Sequence, residues 1–297
     1  MKLRHIASAA ALICMLASAR TAQAITFGVH DDGEHPFVGF MLLFDPTEPG
    51  WFSCSGTLLS PTVFLTAGHC TFAIGTDGAE TAGGSGGNDV WISFDERVDL
   101  SGFPERADYP DEATLYAARS QVLDTNSHFT RGTSHPHPLY DGFREFPNDH
   151  DVGVVTLDSD APVSSFGVLA DVGTLDVIAH RGRGHNKVLI ETAGYGIQEV
   201  KPKSVELDER WKSTSRIVNL KSHLTGEDNL ETSNNPSPAG GQGGSCFGDS
   251  GGGLFLNDTN QVVAVVSFGQ NDNCKGADFS ARMDVADTHD FVAGFLP

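Results

Sequence analysis

The chain has 297 residues, with 19 Lys and Arg against 39 Asp and Glu, for a formal net charge of −20. Such an acidic balance excludes nucleic acid as an expected partner, because phosphates require a basic surface. Hydrophobic residues make up 39% of the chain, enough for a globular protein with an ample core.

Residues 1–24 read as an export leader. Lys2 and Arg4 give the charged start, Ile6 to Ala19 the apolar run, and Ala22-Gln23-Ala24 the small-residue cleavage site. The expected location is therefore secreted or extracellular, or periplasmic in a Gram-negative cell. No later segment is long and apolar enough to span a membrane, so no membrane association is expected once the leader is gone. Removing the leader also removes Cys14 and leaves Cys54, Cys70, Cys246 and Cys274. Four cysteines in an exported chain suggest two disulfides with three possible connectivities. The pairs Cys54–Cys70 and Cys246–Cys274, each local to one half of the chain, are favoured.

From Ile25 onward short apolar runs dominate, broken by Gly, Pro, Asp and Asn. Val38 to Phe44, Gly56 to Leu59, Val63 to Thr66, Val90 to Phe94, Val152 to Leu157, Lys187 to Ala193 and Gln261 to Phe268 are predicted strands. Many short strands of this kind imply a sandwich or barrel. Residues 75–88 and 225–244 read as loops. Residues 99–148 are rich in Pro, Asp, Glu and His and show few clear strands. One helix is predicted, over Val285 to Leu296.

The run Gly243 to Gly253 (GGSCFGDSGGG) concentrates glycine around Cys246, Asp249 and Ser250. Glycines permit backbone angles closed to other residues, so neighbouring N–H groups can converge on one spot beside Ser250. Gly248-Asp249-Ser250-Gly251-Gly252 satisfies the Gly-x-Ser-x-Gly pattern of α/β-hydrolases, but that fold needs an acid and then a histidine after the serine. Only 47 residues follow Ser250, with the single histidine His289. The upstream sequence supplies a different order. Leu65-Thr66-Ala67-Gly68-His69-Cys70 places a histidine at the end of an apolar strand, and Asp149-His150-Asp151 stands at the head of Val152 to Leu157.

These three blocks, in the order His, Asp, Ser, resemble the chymotrypsin-like (trypsin-like) serine peptidase family. Lesser matches are His135 to Tyr140, Gly194-Tyr195-Gly196 and Ser267-Phe268-Gly269. The resemblance runs from Ile25 to the C-terminus. It implies an all-β fold of two antiparallel Greek-key β-barrels with a short C-terminal helix, the first over about 25–160 and the second over about 161–297. It also implies Ser250 as nucleophile, His69 as general base and Asp151 as the acid that orients it, with Asp149 as the rival acid. Gly248 and Ser250 would supply the oxyanion-binding N–H groups, and Ser267, Phe268 and Gly269 would pair with the substrate backbone. Gly244 falls at the floor of the specificity pocket, where trypsins carry an aspartate. A second wall position falls on Asp278, which would favour cleavage after Arg or Lys, or on Ala277, which would favour large apolar residues.

Cleavage after Ala24 exposes Ile25-Thr26-Phe27-Gly28, similar to the start of activated family members. There the new ammonium pairs with the acid before the nucleophile, here Asp249. A cut after Ala19 would instead leave a five-residue extension. The expected function is a monomeric serine endopeptidase acting on peptides or proteins, without cofactor. No regular calcium-ligand spacing occurs, so no metal is expected. The alternative is a catalytically silent binding protein on the same fold.

Overall fold

The computed structural model describes residues 25–180, 188–200, 204–235, 243–256 and 258–297. The expected leader and Lys187 lie outside them.

Strands too short to hide a face alone close on themselves. In chain order the first half gives β1 (Val29–His30), β2 (Val38–Asp45), β3 (Gly50–Ser60), β4 (Val63–Thr66), β5 (Val90–Ser93), β6 (Thr130–Pro136) and β7 (Gly153–Leu157). The order β2-β3-β4-β7-β6-β5 is a closed antiparallel barrel. The second half gives β8 (Val168–Leu169), β9 (Leu189–Gly194), β10 (Trp211–Asn219), β11 (Asn229–Ser233), β12 (Gly253–Leu256), β13 (Gln261–Gly269) and β14 (Ala277–Arg282). Strands β10-β11-β14-β13-β12-β9 form a second ring, closed by β9 pairing with β10. The short β8 runs parallel to β13, and β1 crosses from the first half to pair with β10. The two-barrel expectation agrees with this architecture.

Phe64, Leu65, Trp91 and Val154 belong to the apolar core of the first half, and Ile190, Leu230, Leu254 and Val263 to that of the second. The larger apolar cluster also takes in Tyr195, Phe255, Met283 and Val292, so it continues across the seam to the C-terminal helix. That helix, predicted over Val285 to Leu296, is observed at Ala286–Ala293.

The second barrel was the harder half to predict. Strand β10 turns Ser213 and Ser215 inward beside Trp211 and Ile217, so its buried face is half polar. Strand β14 buries Asp278, Ser280 and Arg282; the Arg282 guanidinium is satisfied by Asp284 at 2.9 and 3.0 Å. Both strands hide the apolar alternation that marks strands. Strand β11 falls in the region read as loop.

Residues 99–148 also hold more structure than expected. They contain a 3₁₀ turn at Arg106–Asp108, the helix α1 (Glu112–Thr125) and β6. Asp111 caps α1, accepting from Thr114 N at 2.9 Å. Only Leu115 and Leu123 of α1 are buried, which leaves almost no apolar stripe to read. Its Tyr116 packs on Phe44 and Trp51, and Arg119 lies over Trp51 and Phe103 at 5.5 and 4.7 Å. Helix α1 therefore buttresses the β2–β3 hairpin. A second short helix, α2, covers Thr174–His180.

Buried charges tie the barrels together. Arg210 Nε meets Asp31 Oδ2 at 2.9 Å, and its Nη1 donates to Val38 O, Phe94 O and Tyr195 Oη. Asp31 also pairs with His35 Nδ1 at 2.5 Å, and His35 Nε2 lies 3.1 Å from Glu191. Burial alone would lower the His35 pKa, but bonding to Asp31 and Glu191 outweighs it and raises it to about 9. A raised histidine pKa stabilises the fold fully below its ordinary value of about 6.5, and that contribution is lost as pH rises through about 9. The loss should amount to about 3 kcal/mol. Urea unfolding should therefore show a falling midpoint between about pH 7 and pH 10, and His35→Gln should lack that component. An equal fall in the variant would contradict the assignment.

Candidate active site

Three segments converge at the seam between the barrels. His69 follows directly from β4, and the Cys54–Cys70 disulfide pins the next residue to β3. Asp151 stands just before β7, after a turn in which His150 takes φ 46°. Ser250 lies in the glycine-dense turn before β12, held by the Cys246–Cys274 disulfide. Both favoured cysteine pairings are present.

His69 and Asp151 are joined twice. His69 Nδ1 lies 2.8 Å from Asp151 Oδ2, and the His69 backbone N donates to Oδ1 at 2.7 Å. Ser267 Oγ donates to Oδ2 at 2.5 Å, so the buried carboxylate has three partners. Burial would raise the Asp151 pKa, but His69 and these bonds hold it below the ordinary carboxylate range. Burial would lower that of His69, but the Asp151 charge raises it. The rival acid Asp149 is buried without contacting the ring. Its Oδ1 takes a 3.4 Å bond from Asn229, and burial with the nearby Asp151 charge pushes its pKa up to about 6.

Ser250 and His69 line one cavity of about 530 Å³, with Gly248 beside them. Gly248 and Gly251 have φ of +93° and +78°, angles that a side chain would strain. A Cβ on Gly251 would lie 2.0 Å from Thr66 Oγ1. This turn engages Asp249 N with Cys246 O, Gly251 N with Val266 O and Gly252 N with Asp249 O. Among the described residues, the N–H groups of Gly248 and Ser250 donate to no protein group. Two unengaged donors thus flank the serine.

A second cavity, of about 350 Å³, opens on the other side of Ser250 and is lined by Ser267, Phe268, Gly269 and Asp278. Strand register pairs Gly269 with Asp278 and Phe268 with Phe279, and Asp278 lines the cavity whereas Ala277 does not. Asp278 is 5% exposed and accepts from Ser245 Oγ. Burial pushes its pKa up to about 6, against the lowering effect of bonds from Ser245 and Asn234. Gly244 does not line this cavity, contrary to its expected place at the floor; Ser245 does. Gly244 is held behind it, donating to Thr26 O at 3.2 Å and packed so closely on Asn234 that a Cβ would lie 1.7 Å from Oδ1.

Ile25 and Asp249 are both fully buried. Thr26 bridges to Gly244 and donates to Gly244 O and Cys274 O, docking the start of the described chain on the Ser250 loop. Asp249 accepts from Gly196 N and Cys246 N at 2.8 Å each, and burial raises its pKa to about 7.

Sequence reading missed an aromatic wall. Phe143 lies 6.0 Å from both the His69 and Phe268 rings, and Phe146 lies 5.3 Å from Phe268. The only signal was two phenylalanines in an otherwise polar stretch.

Several clusters bear on metal binding, and His30, Asp32 and Glu96 form one of them. Asp77 and Asp89 both pair with Arg131 at 3.1 Å, so a built-in guanidinium supplies their cation. Nitrogen and oxygen atoms of His137, His150 and Asp287 lie within 4.8 Å of one another. However, His137 Nδ1 accepts from Leu139 N at 3.3 Å. The neutral ring then carries its proton on Nε2, the atom that faces Asp287, and offers no lone pair to a metal there.

Solved structures share this architecture. The chain is similar to HL collagenase at 14% identity and TM-score 0.57, covering 88% of this chain and 94% of that one. It is similar to the protein HBP at 15% and 0.53, covering 89% and 92%. It is likewise similar to human heparin binding protein at 16% and 0.54, with the same coverage. At these identities the likeness shows the fold. No curated protein matches the sequence. The trypsin family model matches residues 111–291, well over half of the chain. With this match, both barrels and both disulfides, the chain belongs to the trypsin family of chymotrypsin-like serine peptidases.

Proposed function

We propose that the protein is an exported serine endopeptidase that cleaves peptide bonds through an acyl-enzyme. The carrying observation is the bonded His69–Asp151 pair in the same cavity as Ser250, with two free N–H donors beside the serine. Ser250 Oγ attacks the scissile carbonyl while His69 Nε2 takes its proton. The Nδ1–H of the resulting imidazolium points at Asp151, which fixes the tautomer and stabilises the cation. Gly248 N and Ser250 N receive the developing oxyanion, each contributing about 3 kcal/mol by analogy with other acyl-transfer sites. His69 then protonates the departing amine, and water repeats the sequence to release the acid.

Asp278 supports cleavage after Arg or Lys. It is the buried carboxylate on the cavity that receives the residue before the cut, Asp272 being exposed, and a cation there would relieve its unpaired burial. Chromogenic tripeptides differing only in that residue test both proposals. Release after Arg or Lys that vanishes in Ser250→Ala supports them. Serine-dependent release after Phe or Leu alone would overturn the basic preference, and no release from mature protein would favour the silent binding alternative. A polyanion such as heparin is a poor partner for a chain of net charge −20.

Activation follows from Ile25 and Asp249. A free ammonium at Ile25 would give the buried Asp249 carboxyl the opposite charge it lacks. The mature secreted form should therefore begin at Ile25 and be active without a separate activation peptide. N-terminal sequencing of active enzyme that found Arg20 first would contradict this route.

A further inference from the structure

The cavity shared by His69 and Ser250 extends well past them, away from Asp278. Its far wall is the β2–β3 hairpin, with Trp51 and Phe52, and Phe247 closes the side next to Ser250. Three carboxylates stand around it: Asp45 and Glu48 on the hairpin, and Glu206 from the chain before β10. Among the described residues, no Lys or Arg lines it. Glu206 is exposed, and partial burial and then Asp208 raise its pKa. Helix α1 supports this wall, because its Tyr116 and Arg119 pack on Trp51.

The two cavities meet at Ser250 and take opposite sides of the scissile bond. The strand Ser267–Gly269 and Asp278 belong to the acyl side. The departing amine leaves on the side of His69, which must protonate it, and the larger cavity opens there. We infer that this cavity is a subsite for a basic residue downstream of the cut. The methylene stem of a Lys or Arg would lie on Trp51, Phe52 and Phe247 while its head meets Glu48 and Glu206, the division of labour such side chains adopt on amphipathic surfaces. This inference rests on the peptidase reading for its direction along the substrate. With Asp278 it would make the enzyme select basic residues on both sides of the bond.

Internally quenched peptides with one fixed acyl half, carrying Arg, Ala or Glu in turn at the first three positions after the bond, test it. At one position at least, kcat/KM should favour Arg over Glu by about tenfold, the size expected for two partly exposed carboxylates. In the Glu48→Gln/Glu206→Gln double variant the ratio should fall to within about twofold. Because the ratio is internal to each protein, a general loss of folded enzyme leaves it unchanged. A wild-type ratio near one, or a ratio unaltered in the double variant, would overturn the subsite. Anisotropy with the same peptides on Ser250→Ala separates this from failure of the peptidase reading. Tighter binding of the Arg peptide than of the Glu peptide, without any wild-type turnover, would keep the subsite and remove the enzyme. Equal binding would remove the subsite whatever the turnover.

Discussion

Ser250→Ala should lower kcat by on the order of 10⁶-fold while leaving peptide binding nearly intact, because the nucleophile does its work only in the transition state. His69→Ala should cost about as much, and the double variant scarcely more, since the two act as one unit. Asp151→Asn should cost about 10⁴-fold. That variant keeps a side chain in the buried slot but cannot hold the His69 tautomer or its cation. Additive losses in the double variant would contradict this account. The pH profile carries a further signature. His69 must be neutral to accept the proton, and Asp151 holds its pKa above the ordinary histidine value. The rate should therefore fall on the acid side, through a pKa higher than that of a free imidazole.

Asp278→Ser should reduce kcat/KM for Arg and Lys substrates by on the order of 10²–10³-fold and leave Phe substrates within a few fold. The loss combines the missing Coulomb attraction with a cation left buried and unpaired. Acidification should imitate the substitution. Asp278 has a pKa raised to about 6, so its charge, and the preference it confers, is present above that value and lost as pH falls through it. The ratio of Arg to Phe turnover cancels the His69 limb, which is common to both substrates. That ratio should decline through about pH 6 in the wild type, and be flat in Asp278→Ser. A flat wild-type ratio would show that another group selects the residue before the cut.

What could be read in the sequence follows a physical pattern. His69, Asp151 and Ser250 each sit where an apolar strand meets a chemically distinctive short run, so residue type and position reinforce one another. First-barrel strands such as β2 and β4 were legible because nearly every residue in them is apolar and buried. Strands β10 and β14 were not, because the Ser, Asp and Arg side chains they bury look solvent-facing in a linear text. The sequence favours Asp151 over Asp149 because the apolar strand follows directly from Asp151, and it is Asp151 that bonds the His69 ring. The choice between Asp278 and Ala277 needed coordinates, which put Asp278 opposite Gly269 and on the cavity. The downstream cavity was invisible for another reason. Asp45, Glu48, Glu206 and Phe247 come from distant segments, and α1, which supports its wall, has almost no apolar periodicity.

The most direct test of the central claim is covalent labelling. Mature protein beginning at Ile25 would be treated with a fluorophosphonate, whose phosphorus accepts only an activated oxygen nucleophile, and digested for mass spectrometry. The account predicts one adduct per chain, on Ser250, absent in Ser250→Ala and strongly slowed in His69→Ala. Folded, correctly processed protein that gains no adduct, or gains it on another residue, would contradict the assignment of Ser250 as the nucleophile.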